Sequence, residues 1–184
     1  MHALISALDE LSKERVYALW EVLASTCQMR HISDIPLPHF SWHGAQSYSL
    51  RLLEPLLEDW ARQAEPFQVR TNGLGIFTGE KPIIYLRLVS TSILEHYHRQ
   101  IWQHTQTTPS IDPSPHYAPH TWVPHITLGL EDVTYSNLGC AINRLAFQPY
   151  EWIIQVNNLM VVTHEPNQPG EIVKQFRLGN DHGS

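Results

Sequence analysis

The sequence contains one short motif twice, and the segments that follow the two copies have matching spacing. The first copy, PHFSW, contains His39, and the second copy, PHITL, contains His125. An interval of 28 residues leads from His39 to Phe67 and one of 27 leads from His125 to Trp152, and each interval has the periodicity of one helix. The repeat predicts an α+β fold of two lobes related by a pseudo-twofold axis, with mainly antiparallel sheets flanked by helices and a central cleft.

Hydrophobic periodicity places the elements of this fold along the chain. Apolar or alternating runs predict strands at 3–8, 67–77, 83–90, 122–130, 151–163 and 171–178. Helical spacing predicts helices at 12–25, with Ser12 as the N-cap, and at 47–64, 92–104 and 135–147. We expect one domain over 1–184, in which 105–121 form a loop beside the functional site and 179–184 a frayed tail.

The charge balance limits the kind of partner. The net charge is −6 and the pI is about 6.0, so no broad basic surface is available to neutralise a long nucleic acid. A small anionic ligand that a few local groups hold fits this balance better. No apolar run could span a membrane, and the N-terminus lacks the features of an export signal.

The two cysteines, Cys27 and Cys140, have neither metal-ligand nor redox spacing, and two cysteines do not make a disulfide framework. These features predict a cytoplasmic protein in a reducing compartment, with no membrane partner. The sequence does not determine the oligomeric state, and a monomer is the simplest expectation.

Polar and apolar residues alternate within both motifs. Because alternate residues of a strand share a face, His39 and Ser41 should point one way, and His125 and Thr127 should form the matching pair in the second strand. The apolar residues between them should face the core. We expect each polar face to continue one step further, to His43 in the first strand and Gly129 in the second.

The tripeptide H-x-[ST] occurs four times, so it carries little information by itself. The other two copies begin at His31 and His182, and neither has the preceding proline, the strand context or a partner in the repeat. His31 remains an alternative for the first motif.

The tetrapeptides HFSW and HITL resemble the H-x-[ST]-φ motifs of the 2H phosphoesterase superfamily, which includes 2′,5′ RNA ligases and 2′,3′-cyclic nucleotide phosphodiesterases. The similarity extends to the 86-residue separation of the motifs, the proline before each histidine, and the GIF segment with its YLRL strand. The resemblance implies phosphodiester chemistry at His39 and His125 without a metal or other cofactor. The implied substrates are 2′,3′-cyclic or 2′,5′ phosphodiesters of nucleotides or short RNA ends.

Two imidazoles suit this chemistry because their pKa values lie near 6.5, so one can be neutral and the other protonated at neutral pH. One ring would act as base and the other as acid, and the sequence does not assign the two roles. Ser41 and Thr127 could donate hydrogen bonds to the non-bridging phosphate oxygens.

Further residues are candidates for substrate contacts. They are His43, Tyr85, Arg87 and Arg177 near the phosphate, with Arg87 and Arg177 in matching places of the repeat, and Tyr48, Tyr117 and the 105–121 loop near a base or ribose. Trp42 and Trp122 have odd offsets from the histidines and should point to the core.

Three alternatives remain open at this point. A nucleotide- or RNA-end-binding module could have the same cleft and little or no turnover, and a plain scaffold protein would bind no nucleotide. A metal hydrolase is the competing chemistry for a chain with 12 histidines. The spacing opposes it, because His96 and His98 would lie about 200° apart on a helix and no H-E-x-x-H motif is present.

Overall fold

The computed structural model describes residues 1–30, 37–164 and 170–179. The alternative motifs at His31 and His182, and most of the predicted frayed tail, lie outside these residues. In chain order the described elements are β1 (His2–Ala7), α1 (Glu10–Cys27), β2 (His39–Tyr48), α2 (Leu50–Gln63), β3 (Phe67–Phe77), β4 (Ile83–Leu88), α3 (Ser92–Thr107), β5 (Ser110–Pro113), a 3-10 turn (Pro115–Tyr117), β6 (His125–Gly129), α4 (Leu138–Leu145), β7 (Ile153–Val156), β8 (Asn158–Thr163) and β9 (Glu171–Arg177).

The strands join into one hydrogen-bonded path in the order β7-β3-β4-β6-β2-β1-β8-β9, with β5 added to β2. Every strand pair in the described residues is antiparallel, so the predicted α+β class with a mainly antiparallel sheet is confirmed. The two motif strands, β2 and β6, are neighbours in the middle of this path. The division into two lobes and the single domain over 1–184 stay predictions.

The first helix shows how the sequence pattern positions the core. Its apolar residues Val16, Leu19 and Leu23 recur at helical spacing and are at most 6% exposed. Burying a side chain of this size contributes roughly 1.5–3 kcal/mol. The predicted N-cap is wrong by three residues: the carboxylate of Asp9 accepts a hydrogen bond from the backbone N–H of Ser12 at 2.9 Å, so Asp9 is the N-cap.

A β-bulge interrupts the alternation of β2 just after the first motif. Ile5 of β1 pairs with Ser41, whereas the adjacent Leu4 pairs with His43, so β2 contains one extra residue at this point. His43 therefore points to the same side as Leu4, into the core, and its side chain is completely buried. The prediction that the polar face continues to His43 is wrong, because the extra residue at the bulge reverses the side to which the following side chains point.

A second bulge occurs at the same place in the second motif. Tyr85 of β4 pairs with Thr127, and the adjacent Ile84 pairs with Gly129. Gly129 consequently faces the core as well, where a side chain on it would overlap Met29. The expected polar position at Gly129 is wrong for the same physical reason as at His43. The two motif strands thus share their register and their bulge as well as their sequence pattern.

The two cysteines form a disulfide between α1 and α4, contrary to the expectation from their spacing. Cys27 is the last residue of α1, and its Cα atom lies 5.7 Å from that of Cys140 in α4. The chain leaving α1 is held further, because the backbone N–H of Arg30 donates to the carboxylate of Asp132 at 2.6 Å. The disulfide removes the argument for a reducing compartment, and the cytoplasmic location stays a prediction.

None of the helices in the described ranges is long and apolar enough to cross a membrane.

Removing the disulfide should lower the free energy of unfolding by about 2–5 kcal/mol, because a cross-link that closes a loop of this length restricts the unfolded chain. The bond spans 113 positions of the sequence. Urea titrations of the oxidised protein and of the Cys27→Ser/Cys140→Ser double variant measure the difference. Dithiothreitol should shift the wild type to the stability of the variant and leave the variant unchanged. Equal stability of the oxidised and reduced wild type would contradict the bond.

Candidate active site

The pairing of the motif strands brings the two predicted histidines to one face. Phe40 pairs with Ile126 in antiparallel register, so the adjacent positions place His39 opposite Thr127 and Ser41 opposite His125. The two histidines are therefore diagonal neighbours, a relation in which side chains typically lie about 7 Å apart. These four polar residues are half-buried, whereas the apolar residues between them are buried in the core.

The two histidines are oriented by the same local hydrogen bond. Nδ1 of His39 lies 2.5 Å from the carbonyl oxygen of Leu37, and Nδ1 of His125 lies 2.7 Å from that of Val123. A carbonyl oxygen can only accept, so each Nδ1 carries a proton and donates it. In its neutral form each ring then keeps the lone pair on Nε2. Both imidazoles are thus prepared to exchange protons through Nε2.

Burial keeps the pair from holding two protons. Burial lowers the pKa of His39 to about 4, an effect that the hydrogen bond to Leu37 partly offsets and that a positive charge on His125 increases. Burial also lowers the pKa of His125, and its bond to Val123 opposes this. Because each charged ring disfavours a charge on the other, the pair favours at most one proton.

Two tryptophans fix the backbone of the motif strands in equivalent ways. The indole N–H of Trp122 donates to the carbonyl oxygen of Ser41 at 3.0 Å, and that of Trp20 donates to the carbonyl oxygen of Thr127 at 3.2 Å. The Ser41 side chain also lies close enough to Tyr117 to oppose the effect of burial on the pKa of the Tyr117 hydroxyl. The backbone of each motif strand is therefore held at its hydroxyl residue by a tryptophan outside the motif.

Strand β4 adds aromatic and basic groups on the His125 side. Arg87 pairs with His125 and is exposed, and Tyr85 pairs with Thr127. The ring centroid of Tyr85 lies 5.1 Å from that of His125, and Phe77 meets His125 edge-on at 4.9 Å. Phe77 and Tyr85 stack at 4.3 Å, so one side of the His125 ring is enclosed by aromatic rings.

A cavity of about 610 Å³ opens beside His125. Its lining includes Phe77, Lys81, Tyr117 and Trp122 together with His125. The volume lies within the range of small-ligand sites, and the several aromatic rings suit a ligand with a flat group. Lys81 is paired with the carboxylate of Glu131 at 3.0 Å. The 105–121 segment contributes to the wall, in agreement with its predicted place beside the site, although it contains β5 and the 3-10 turn rather than loop alone.

The comparison with known families agrees with this geometry. A family model described as the 2′-5′ RNA ligase superfamily matches residues 29–166, which is well over half of the chain. The chain belongs to the 2′-5′ RNA ligase superfamily. The resemblance to the 2H phosphoesterases that the two motifs indicated is thereby confirmed. No match is found among curated proteins.

Several solved structures share the fold of this superfamily member. TT0787 of Thermus thermophilus has a TM-score of 0.70 at 16% identity, over 98% of this chain and 99% of that one. LigT of E. coli in apo form has a TM-score of 0.67 at 14% identity, over 97% of each chain. LigT complexed with 3′-AMP has a TM-score of 0.63 at 13% identity, over 97% of this chain and 98% of that one.

Three of the residues predicted to contact substrate do not lie beside His39 and His125. His43 and Tyr48 are buried in the core, where Nδ1 of His43 lies 2.6 Å from the Tyr48 hydroxyl. Arg177 is on the outer strand β9, with β1 and β8 between it and β2. Arg87 pairs with His125, and the residue that pairs with His39 in the same way is Ala7. The expected equivalence of Arg87 and Arg177 is therefore wrong.

The sequence reasoning also missed residues that line the cavity. Its pattern predicts Trp122 in the core; the ring does stack on Trp42 there, at 5.8 Å, but it also forms part of the cavity wall. Phe77 and Lys81 have no place among the predicted site residues, although Phe77 is the last residue of the GIF segment and Lys81 lies in the turn between β3 and β4. The available signal was Gly75, two residues before Phe77, where the backbone approaches the ring of Tyr85 closely.

Replacing Gly75 by alanine should disturb the aromatic wall around His125. The added methyl group would overlap the ring of Tyr85, which contacts His125 and cannot bend away as a flexible chain could. If the site is catalytic, we expect kcat/KM to fall roughly 10-fold or more, since small displacements near the reacting groups have large effects.

The matched control is Gly139→Ala, because a methyl group at Gly139 in α4 meets no atom within 4 Å and should leave the activity unchanged. Steady-state kinetics of both variants provide the measurement. Equal activity of Gly75→Ala and Gly139→Ala would contradict a role for the aromatic wall.

Proposed function

We propose that the chain is a metal-independent phosphodiesterase, which acts on 2′,3′-cyclic or 2′,5′ phosphodiesters of nucleotides or short RNA ends. The arrangement of His39 and His125 carries the proposal. The two rings are diagonal neighbours on one face, and each has Nδ1 bound to a carbonyl oxygen and Nε2 left for chemistry. Ser41 and Thr127 accompany them at equivalent positions.

In hydrolysis the neutral histidine takes a proton from water at its Nε2 atom while the water oxygen attacks phosphorus. The bond between phosphorus and one ribose oxygen breaks, and the protonated histidine donates its Nε2 proton to that oxygen. One water is consumed, and a phosphomonoester and a ribose hydroxyl are formed. The proton has moved from one histidine to the other, so exchange with solvent restores the starting state.

The hydroxyls of Ser41 and Thr127 would donate to the non-bridging oxygens of the phosphate, on which negative charge increases in the transition state. Arg87 would add a positive charge, since it is exposed and pairs with His125 across the sheet. Tyr85 would act through its contact with the His125 ring. Arg177 has no place in this scheme, since two strands separate β9 from β2.

The donor set supports chemistry without a metal. Among the described residues no group of three or more His, Cys, Asp and Glu side chains converges in a way that could hold a metal ion. The site instead offers two imidazole Nε2 atoms and two hydroxyls, which can transfer protons and donate hydrogen bonds to a phosphate.

The cavity and the charge support a small substrate. A space of about 610 Å³ suits a nucleotide or an RNA end, and the net charge of −6 disfavours a long nucleic acid. LigT, whose fold is similar, has been crystallised with 3′-AMP. The absence of a membrane partner and the monomeric state remain parts of the proposal.

Replacing either motif histidine should lower the rate of hydrolysis by roughly 10²-fold or more, because proton transfer to water or from the leaving group is lost. The His39→Ala/His125→Ala double variant should be little slower than the worse single variant, since either loss breaks the same relay. Chromatography of 2′,3′-cyclic nucleotides and 2′,5′-linked dinucleotides after incubation measures the products.

The control is His31→Ala at the alternative motif, which should keep activity near that of the wild type. Loss at His31 with retention at His39 would show that the other segment is the first motif. Binding of nucleotides by a wild type that forms no product would favour the binding module instead.

Hydrolysis should survive excess EDTA and follow a bell-shaped pH profile with its maximum below about pH 6.5. In the reactive form, the histidine pair holds one proton. A second proton binds to the pair at low pH, and the single proton dissociates at high pH, so the reactive form is depleted in both directions. Because burial lowers the pKa of both rings, the singly protonated form of the free protein is most populated on the acid side of their usual range.

The pH dependence of kcat/KM, with and without EDTA, measures both points. A maximum well above pH 7, or activity that EDTA removes and a divalent ion restores, would contradict the mechanism.

A further inference from the structure

We propose that His98, a buried residue of α3 that lies outside the cavity, is a positioning residue for Ser41 and for the cavity wall. The inference rests on the proposed function, because it assigns a role in the reaction at the site of His39 and His125. It concerns the side chains behind the first motif, which we call the His98 cluster: His98, His43, Trp102, Tyr117 and Trp122.

His98 is 2% exposed, and its ring lies flat on the indole of Trp122, with centroids 3.7 Å apart and planes inclined by 3°. The same indole donates its N–H to the carbonyl oxygen of Ser41 at 3.0 Å. Trp122 is also part of the wall of the cavity. The stacking contact with His98 of α3 therefore helps to position the Trp122 ring, which contacts both the first motif strand and the cavity.

The His98 ring also lies beside Tyr117, a second residue of the cavity wall. Backbone groups of Tyr117 and Trp42 are close enough to the ring to oppose the effect of burial on the pKa of His98. The Ser41 side chain in turn is close enough to Tyr117 to oppose the effect of burial on the pKa of the Tyr117 hydroxyl. His98 thus reaches Ser41 through Trp122, which bonds to the Ser41 backbone, and it packs beside Tyr117 on the same wall.

Gly44 leaves the space that these contacts need. A side chain at Gly44 would press on the ring of Tyr117 at 3.0 Å, so a residue without Cβ lets Tyr117 lie close to β2. His43 completes the packing behind the strand, with its ring 5.9 Å from that of Tyr117 and 5.2 Å from that of Trp102. The bulge after Ser41 makes this possible, because it turns His43 toward α3.

Stability alone would be served better by an apolar residue at position 98. Burial lowers the pKa of His98 to about 4, so the ring is neutral at pH 7 and acts as a flat surface with hydrogen-bonding atoms. Its Nε2 atom is buried and has no hydrogen-bond partner among the described residues, which is an unfavourable arrangement. A planar ring at this position provides the flat contact with Trp122 on which the connection to Ser41 depends.

Among the described residues, the second motif has no such cluster. The residue that corresponds to His43 is Gly129, and the side chain packed against it is Met29. The carbonyl oxygen of Thr127 accepts from Trp20, whose neighbour Tyr17 on α1 meets it edge-on at 5.4 Å. In the described part of the chain, only the first motif strand is therefore coupled to the cavity wall through a buried imidazole.

The test compares His98→Ala and His98→Phe with His96→Ala, a control at an exposed position of the same helix. We expect His98→Ala to lower kcat/KM on the cleaved substrate roughly 10- to 100-fold and His98→Phe, which keeps the flat contact with Trp122, to lower it less. His96→Ala should match the wild type. If His98→Ala does not fold, His98→Phe carries the comparison.

A double-mutant cycle with Ser41→Ala separates positioning from a general loss of structure. If His98 acts through Ser41, replacing His98 in the Ser41→Ala background should cost only a few-fold. If the losses multiply fully, or if the His98 variants match His96→Ala while the wild type is active, the positioning role is wrong and the proposed function stands.

A wild type that cleaves no phosphodiester would contradict the proposed function, but the geometric part of the inference can still be tested. The crystal structure of His98→Ala should show Trp122 displaced from Ser41, and that of His98→Phe should keep Trp122 near its original place. An unmoved Trp122 in His98→Ala would overturn the inference regardless of activity.

Discussion

The pairing of Phe40 with Ile126 fixes the geometry on which the candidate site depends. Alternate residues of a strand face opposite sides of a sheet, so a slip of one residue between β2 and β6 would turn one motif away from the other. Phe40 and Ile126 are at most 1% exposed, and their burial holds the register. The apolar core, rather than any attraction between the polar groups, therefore brings His39 and His125 to one face.

The two halves of the site have equivalent backbones and unequal surroundings. Both motif strands contain a bulge after the hydroxyl residue, and both histidines donate from Nδ1 to the carbonyl two residues earlier. The neighbours differ, because His125 has Arg87 beside it in the sheet and His39 has Ala7. Under the proposed function, a phosphate between the rings would have similar proton donors and acceptors on both sides. In the described residues, Arg87 and the rings of Phe77 and Tyr85 lie beside His125, so a nucleoside would have cation and aromatic contacts on that side.

Much of this could be predicted from sequence because it follows from period-two alternation and from the repeat. His39, Ser41, His125 and Thr127 needed only these two patterns, and the resemblance to the superfamily supplied the chemistry. The face of His43 could not be predicted, because a bulge depends on the register with a neighbouring strand and leaves no mark in the motif.

Contacts between distant segments were missed for a related reason. The disulfide between Cys27 and Cys140 joins two helices that come into contact only in the folded chain. The spacing of two cysteines along the sequence does not show whether their helices are in contact. The prediction for Trp122 depends on its offset to His125 along one strand, whereas its contacts are with Ser41 of the other motif and with His98 of α3.

The buried histidines set a limit on the conditions under which such a site can work. Burial lowers the pKa values of His39, His43 and His98 to about 4, whereas the unfolded chain protonates these rings near 6.5. Above about pH 6.5 both states are neutral at these positions, and the histidines add no pH dependence. Between about pH 6.5 and pH 4 the unfolded chain binds more protons, so the stability of the fold decreases as the pH falls. In the proposed mechanism the pair of His39 and His125 holds one proton, and the rings behind it remain neutral. The proposed activity on the acid side of neutrality would therefore fall in the range where the fold loses stability, and the disulfide between α1 and α4 acts against that loss.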